Sequence, residues 1–143
     1  MLIKSSHIYI FAIFECHFKV ITSYIRRYEV ITSRYNCTDA LDFCNTQYNG
    51  LATVADDFEH LAMVRAMEES GVLVQLWIGG IHSGGDIHSG WNWKHKDGTL
   101  ETIKWSKWTP GDPSGNGQCI QVRFDNLWDD SECLKNKSFI CNA

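Results

Sequence analysis

Proline is nearly missing from this chain, with two residues in 143, Pro110 and Pro113. No Pro-rich linker, low-complexity tract or internal repeat divides it, so a single domain is expected. Long apolar runs are missing too. The run from Ile8 to Phe14 has roughly seven residues, against about 20 for a membrane-spanning helix, so no span is read from it. Positive charge is in short supply, since 13 Lys and Arg face 17 Asp and Glu for a net charge of −4. That removes the electrostatic case for nucleic acid or for an anionic membrane surface. Close cysteine pairs of the C-x2-C kind are absent; the nearest spacings are Cys37 to Cys44 and Cys133 to Cys141. Structural zinc loses its usual signature on that ground. No motif places a Ser-His-Asp or Cys-His constellation, so no enzyme is read here.

What the chain does have is cysteine and aromatic residues. Six Cys in a chain of this size suit an oxidising compartment and a disulfide framework, with fifteen connectivities open. Two N-glycosylation sequons, Asn36-Cys37-Thr38 and Asn136-Lys137-Ser138, agree with secretion. Residues 1–24 form an N-terminal segment in which Lys4 precedes the apolar run. The run resembles a signal-peptide core, although Glu15, Cys16 and His17 follow it where a small-x-small cleavage site is expected. A core strand is the other reading. His82, His88 and His95 sit among Gly-rich turns, where no spacing puts two on one helical turn, and they read as exposed loop histidines. Trp77, Trp93 and Trp128 read as core, leaving Trp91 and Trp105 as candidate surface contacts.

Periodicity supplies the elements. RYEVITS (27–33) alternates and is rich in β-branched residues, as a strand is. Cys37, Ala40, Leu41, Cys44 and Tyr48 then share one helical face, with Asn36 or Thr38 to cap it and Gly50 to end it. A second helix begins at the capping-box pattern Asp56-x-x-Glu59, carries Phe58, Leu61, Ala62, Val64 and Met67, and stops at Gly71. VLVQLWIGG (72–80), WNW (91–93), QCIQVRF (118–124) and KSFICN (137–142) read as strands. A strand, two helices and then an antiparallel β remainder make an α+β domain over 25–143. One segment stands apart. GDPSGNGQCIQVRFDNLWDDSEC (111–133) is too polar for core, yet it carries two Cys and the carboxylates Asp112, Asp125, Asp129, Asp130 and Glu132.

In order and spacing, the chain resembles the C-type lectin-like domain family. CTDALDFC resembles the family's first helix, and GLATV (50–54) follows it. WIGG (Trp77 to Gly80) resembles the WIGL strand, and WNW…DG (91–98) the WxWxDG hairpin. WTPGDPS (108–114) stands in the place of WxxGEPN, LWDDSEC in that of LWND-x-x-C, and FIC closes the match. The resemblance implies the bridges Cys44–Cys141 and Cys119–Cys133. It leaves Cys16 and Cys37 over, the latter where the family usually has Trp. A Cys16–Cys37 bridge that staples the N-terminal segment is favoured over intermolecular pairing.

The resemblance also implies a role for the acidic segment. In sugar-binding members the two flanks of a cis proline and the acidic pair after Trp hold Ca²⁺, which coordinates vicinal sugar hydroxyls. Ca²⁺ takes six to eight oxygen ligands, carboxylates among them. The matching positions are Asp112, Ser114, Asp129 and Asp130, as both metal ligands and sugar contacts. Ser114 replaces the usual Asn. Gly117 stands where the family has a further Glu, so the expected Ca²⁺ site is weak, and Gly117→Glu with Ser114→Asn is expected to tighten it. Asp-Pro-Ser matches neither the mannose-type nor the galactose-type tripeptide, so no sugar is named. The implied function is Ca²⁺-dependent binding of glycans, self or microbial, by a secreted glycoprotein. A Ca²⁺-independent lectin-like domain that binds protein ligands is the alternative.

The two sequons differ in what their asparagines are free to do. An Asn36 that caps the first helix commits its side chain to backbone N–H groups. Eukaryotically expressed protein is therefore expected to carry its glycan at Asn136 in preference to Asn36, as intact-mass and glycopeptide analysis would show. A glycan found at Asn36 alone would contradict this.

Overall fold

A computed structural model of the protein describes residues 27–143. The apolar run at 8–14, Cys16 and the rest of segment 1–24 lie outside the described residues. The described chain runs β1 (Tyr28–Tyr35), α1 (Cys37–Gln47), α2 (Asp57–Ser70), β2 (Leu76–His82), β3 (Trp91–Lys94), β4 (Leu100–Thr102), β5 (Cys119–Val122), β6 (Trp128–Ser131) and β7 (Lys137–Asn142).

Both helices start where their caps dictate. Asn36 Oδ1 accepts the Asp39 amide at 2.9 Å and begins α1, so Asn36 and not Thr38 is the cap. Asp56 Oδ1 accepts the Glu59 amide at 2.8 Å and begins α2. Glu59 reaches back in turn to the Ala55 amide at 3.0 Å and also takes Arg27 at 3.2 Å, tying the helix start to the foot of β1. Gly71 ends α2 in the left-handed conformation, φ 71°.

The buried face of α2 differs from the periodic reading. His60, Met63, Val64 and Met67 are buried, whereas Phe58 and Leu61 are 61% and 51% exposed. The reason is aromatic. The His60 ring packs 5.6 Å from Trp105 and 6.1 Å from Trp128, which turns that edge of the helix inward. Phe58 instead lies outside, under the Arg27 guanidinium at 5.7 Å. The strand expected at 72–80 starts only at Leu76, because Leu73 and Val74 face solvent.

The sheet is mixed, and β2 is its hub. Its first residues pair in parallel with β7 (Leu76↔Ser138, Trp77↔Phe139) and antiparallel with β5 (Leu76↔Val122, Trp77↔Gln121). Its last residues pair with β3 (Gly80↔Trp93, His82↔Trp91). The strand order is β1-β7-β2-β3-β4, with β5 on β2 and β6 on β5. The parallel β2–β7 ladder departs from the wholly antiparallel remainder read in the sequence, and β4 and β6 are strands that periodicity missed.

Two glycines make the hub compact. The Gly79 amide donates to Ala52 O at 2.8 Å, and a Cβ at Gly79 would sit 2.9 Å from Leu51 O. A Cβ at Gly80 would run into the Ile120 side chain. Only residues without side chains let β2 lie this close to both neighbours.

The core has two parts. One gathers Tyr28, Met63, Leu76, Ile78, Trp91, Trp93, Ile120 and Trp128 with their neighbours. The other gathers Ala40, Cys44, Leu51, Trp77, Cys119, Phe139 and Cys141 under α1. Trp91 is buried, its indole N–H donating to Ile87 O at 2.8 Å, and so is not the surface contact expected of it. Trp105 is half-buried against Trp128.

Disulfides Cys44–Cys141 and Cys119–Cys133 both lie at the second part. Among the described residues Cys37 is the one free cysteine; it is buried, and burial pushes its thiol up to about 12. Its expected partner, Cys16, is outside the described residues.

The two bridges close very different lengths of chain, 97 and 14 residues. Constraining the unfolded chain favours the longer one, worth about 4–5 kcal/mol against about 3 kcal/mol for the shorter. Replacing Cys44 and Cys141 by Ala should therefore lower unfolding free energy more than replacing Cys119 and Cys133, as urea titrations of the two variants would read. A larger loss from the 119–133 pair would contradict the ordering.

Candidate functional site

Two stretches of the acidic segment prove to be sheet. Residues 119–122 and 128–131 form the β5–β6 hairpin, in register Ile120↔Asp130, Gln121↔Asp129 and Val122↔Trp128. Strand alternation therefore sends Asp129 and Asp130 to opposite faces of β6. Ahead of it, 111–118 is a loop closed at its far end by the Cys119–Cys133 bridge. Its Asp112-Pro113 bond is cis, Pro113 is buried, and the Asp112 amide donates to Thr109 O at 2.9 Å.

Asp130 is the fastening of this loop. It is 3% exposed. Its Oδ1 accepts the Ser114 amide at 2.9 Å and the Ser114 hydroxyl at 3.4 Å, and its Oδ2 accepts the Gly117 amide at 3.1 Å. Burial works to raise its pKa, but backbone donors including the Ser114 and Gly117 amides outweigh it and hold the carboxyl below its ordinary value. A carboxylate that accepts several backbone amides favours its ionised form.

Asp129 behaves in the opposite way. Burial pushes its carboxyl up, as do the charges of Asp112 and Asp130. Arg123, with Nη1 3.9 Å from Asp129 Oδ2, offsets part of this. The Gln121 side chain opposes the shift as well, although neither Asp129 Oδ1 nor Gln121 Oε1 makes a hydrogen bond of good geometry.

The four positions expected to hold Ca²⁺ thus lie in one region without forming a cage. Both oxygens of Asp130 are taken by the loop. Ser114 is exposed, and its amide and hydroxyl turn to Asp130. Arg123 brings a fixed positive charge to Asp129. Gly117 leaves no room for the missing Glu: a Cβ there would run into the Ser131 carbonyl and the Glu132 nitrogen. The expectation that Gly117→Glu restores a ligand therefore fails on packing, because the obstacle is backbone. Among the described residues no group of three His, Cys, Asp or Glu is arranged to hold a metal. The donor set has the chemistry of a Ca²⁺ site but not its geometry.

Gln121 and Arg123 were missed in the sequence. Their role follows from cross-strand register, which becomes readable only once β6 is recognised as a strand. The three loop histidines do not come together. His82 Nε2 lies between the carbonyls of Asp86 and Ser89 at 2.9 and 2.8 Å, His88 is exposed, and His95 pairs with Glu101 at 2.9 Å.

The family model for the lectin C-type domain matches residues 33–143. Lectin BRA-3 of Megabalanus rosa is 28% identical over 121 residues, covering 80% of this chain and 68% of the lectin. The human secretory phospholipase A2 receptor is 28% identical over 116 residues, covering 71% of this chain; the chain spans 7% of that receptor's length. Among solved structures, a calcium-independent type II antifreeze protein superposes with a TM-score of 0.65 at 24% identity, covering 82% of this chain and 86% of that one.

Neighbouring aspartates with opposed environments give a direct test. Asp130→Ala removes a carboxylate with charge-assisted bonds and should cost about 2–3 kcal/mol at neutral pH. Asp129→Asn relieves a desolvated charge and should leave stability unchanged or raised. The pH dependence follows from the signs. Asp130, with its folded pKa depressed, contributes stability that is full above the unfolded value, about 3.9, and is lost as pH falls through the folded pKa. Asp129, with its folded pKa raised, works against folding as pH rises past its unfolded value. Thermal melts between pH 3 and 7 should show a shallower acid loss in Asp130→Asn than in the wild type, and equal slopes would contradict the assignment.

Proposed function

Since the chain belongs to the lectin C-type domain family, we propose that it is an extracellular recognition domain that binds its ligand, a glycan or a protein surface, without needing Ca²⁺. The observation that carries this reading is Asp130. Its carboxylate already closes the 114–117 loop through two backbone amides, which is the structural service a bound cation would otherwise supply. Two disulfides support an extracellular location. No helix among the described residues is long and apolar enough to cross a membrane. The fold leaves the Ca²⁺ question open, because a protein described as calcium-independent shares it.

One observation favours the second reading, Ca²⁺-dependent glycan binding. Asp129 Oδ1 is buried without a hydrogen-bond partner, and the charges of Asp112 and Asp130 act on it. Melting curves in 10 mM-range CaCl₂ and in EGTA separate the two, about 10 mM being well above the weak extracellular range of about 10⁻⁴–10⁻³ M. The melting temperature is expected to be the same in both. A site filled to 100 times its Kd would add about 2.7 kcal/mol. A rise of several degrees in CaCl₂ that disappears in Asp129→Asn would overturn the Ca²⁺-independent reading.

A further inference from the structure

On the β7 side of β2 lies an open surface depression of about 500 Å³ lined by Arg34, Lys135, Asn136 and Lys137. Three of its four lining residues are cationic, in a protein whose net charge is −4. Their convergence is built by the backbone. Tyr35 pairs with Lys137 across the β1–β7 ladder, which brings Arg34 beside the start of β7. The Trp77 indole N–H, fully buried, is shared between Tyr35 O at 3.1 Å and Lys135 O at 3.3 Å, so one side chain of the hub strand fixes both walls. The Lys137 ammonium lies over the same indole at 5.1 Å. One nitrogen of Arg34 donates to Asn136 O at 3.0 Å and orients the guanidinium.

Among the described residues none of the three cations forms a salt bridge. The pKa of Lys137 is lowered by burial first and then by the charges of Lys135 and Arg34, with Asp129 offsetting part of the effect. Of the three cations Lys137 alone is partly desolvated, and an anion placed among them would relieve both its burial and their mutual repulsion.

We propose that Arg34, Lys135 and Lys137 form a binding site for a tetrahedral ester oxyanion, as borne by a sulfated or phosphorylated sugar. The remaining guanidinium N–H groups offer planar donors to two oxygens, and the ammonium groups act as point charges on the others. The site uses none of the residues of the 111–118 loop. Asn136 stands in its wall, so a glycan on that asparagine would compete for the same space.

Calorimetry with bacterially expressed, unglycosylated protein in EGTA tests the site directly. The probes are a fully sulfated heparin-derived hexasaccharide, the same oligosaccharide desulfated, and mannose 6-phosphate. The sulfated or the phosphorylated probe is expected to bind, the desulfated one not, and which of the two binds identifies the ester. Arg34→Gln and Lys135→Ser should each weaken binding by about tenfold. Both residues are exposed, so the variants keep the fold, and an unchanged melting temperature checks this. Rising salt should weaken the wild type more than either variant. Failure of both charged probes to bind, or equal affinity in wild type and variants, would overturn the proposal.

Discussion

Everything in this domain leans on the burial of β2. Three strands pair with it, which requires that it lie flat against neighbours on both edges, and Gly79 and Gly80 remove the side chains that would prevent this. Trp77 then fills the space between the sheet and α1. Its indole N–H holds the chain on both sides of the β1–β7 ladder, and its ring lies beneath Lys137. The same residue therefore sets the core, the first turn of β7 and the placement of the cationic depression. Substitution at β2 would be felt at sites that share no contact with one another.

The acidic hairpin illustrates how one carboxylate changes the meaning of its neighbours. With Asp130 turned to the loop amides, the loop is closed from inside and its polarity is satisfied by its own backbone. Asp129, on the other face, is left with a distant guanidinium and a buried oxygen without a partner. Residue types suited to a divalent cation thus end up divided between a structural task and an unsettled electrostatic one. Composition names the atoms available; strand alternation decides which of them can meet.

Much of the fold was legible in the residues. The helix caps Asn36 and Asp56 act locally, through hydrogen bonds three residues away, so their signal survives without any tertiary information. The WIGG and WNW stretches were readable because buried strands carry their own hydrophobic signature. The face of α2 was not, since it is fixed by His60 between two tryptophans, a contact made across the sequence. β6 was hidden because WDDS looks like a turn, and its strand character comes from pairing with β5. The cationic depression was hidden for the same reason: Arg34 and Lys137 are about a hundred residues apart, and only the β1–β7 register makes them neighbours. The disulfide pairing needed the family resemblance, since spacing alone left fifteen choices.

The strand order carries a consequence for how the chain is made. β7 comes last in sequence among the described elements, yet it lies between β1 and β2. Until it emerges from the ribosome, β1 has no partner among the described strands and the hub strand lacks one edge. Neither β1 nor the parallel half of β2 can reach its native pairing before β7 is made. Non-local pairing of this kind slows folding and leaves apolar strand edges open meanwhile. The sheet is therefore completed only once β7 is available to enter between β1 and β2.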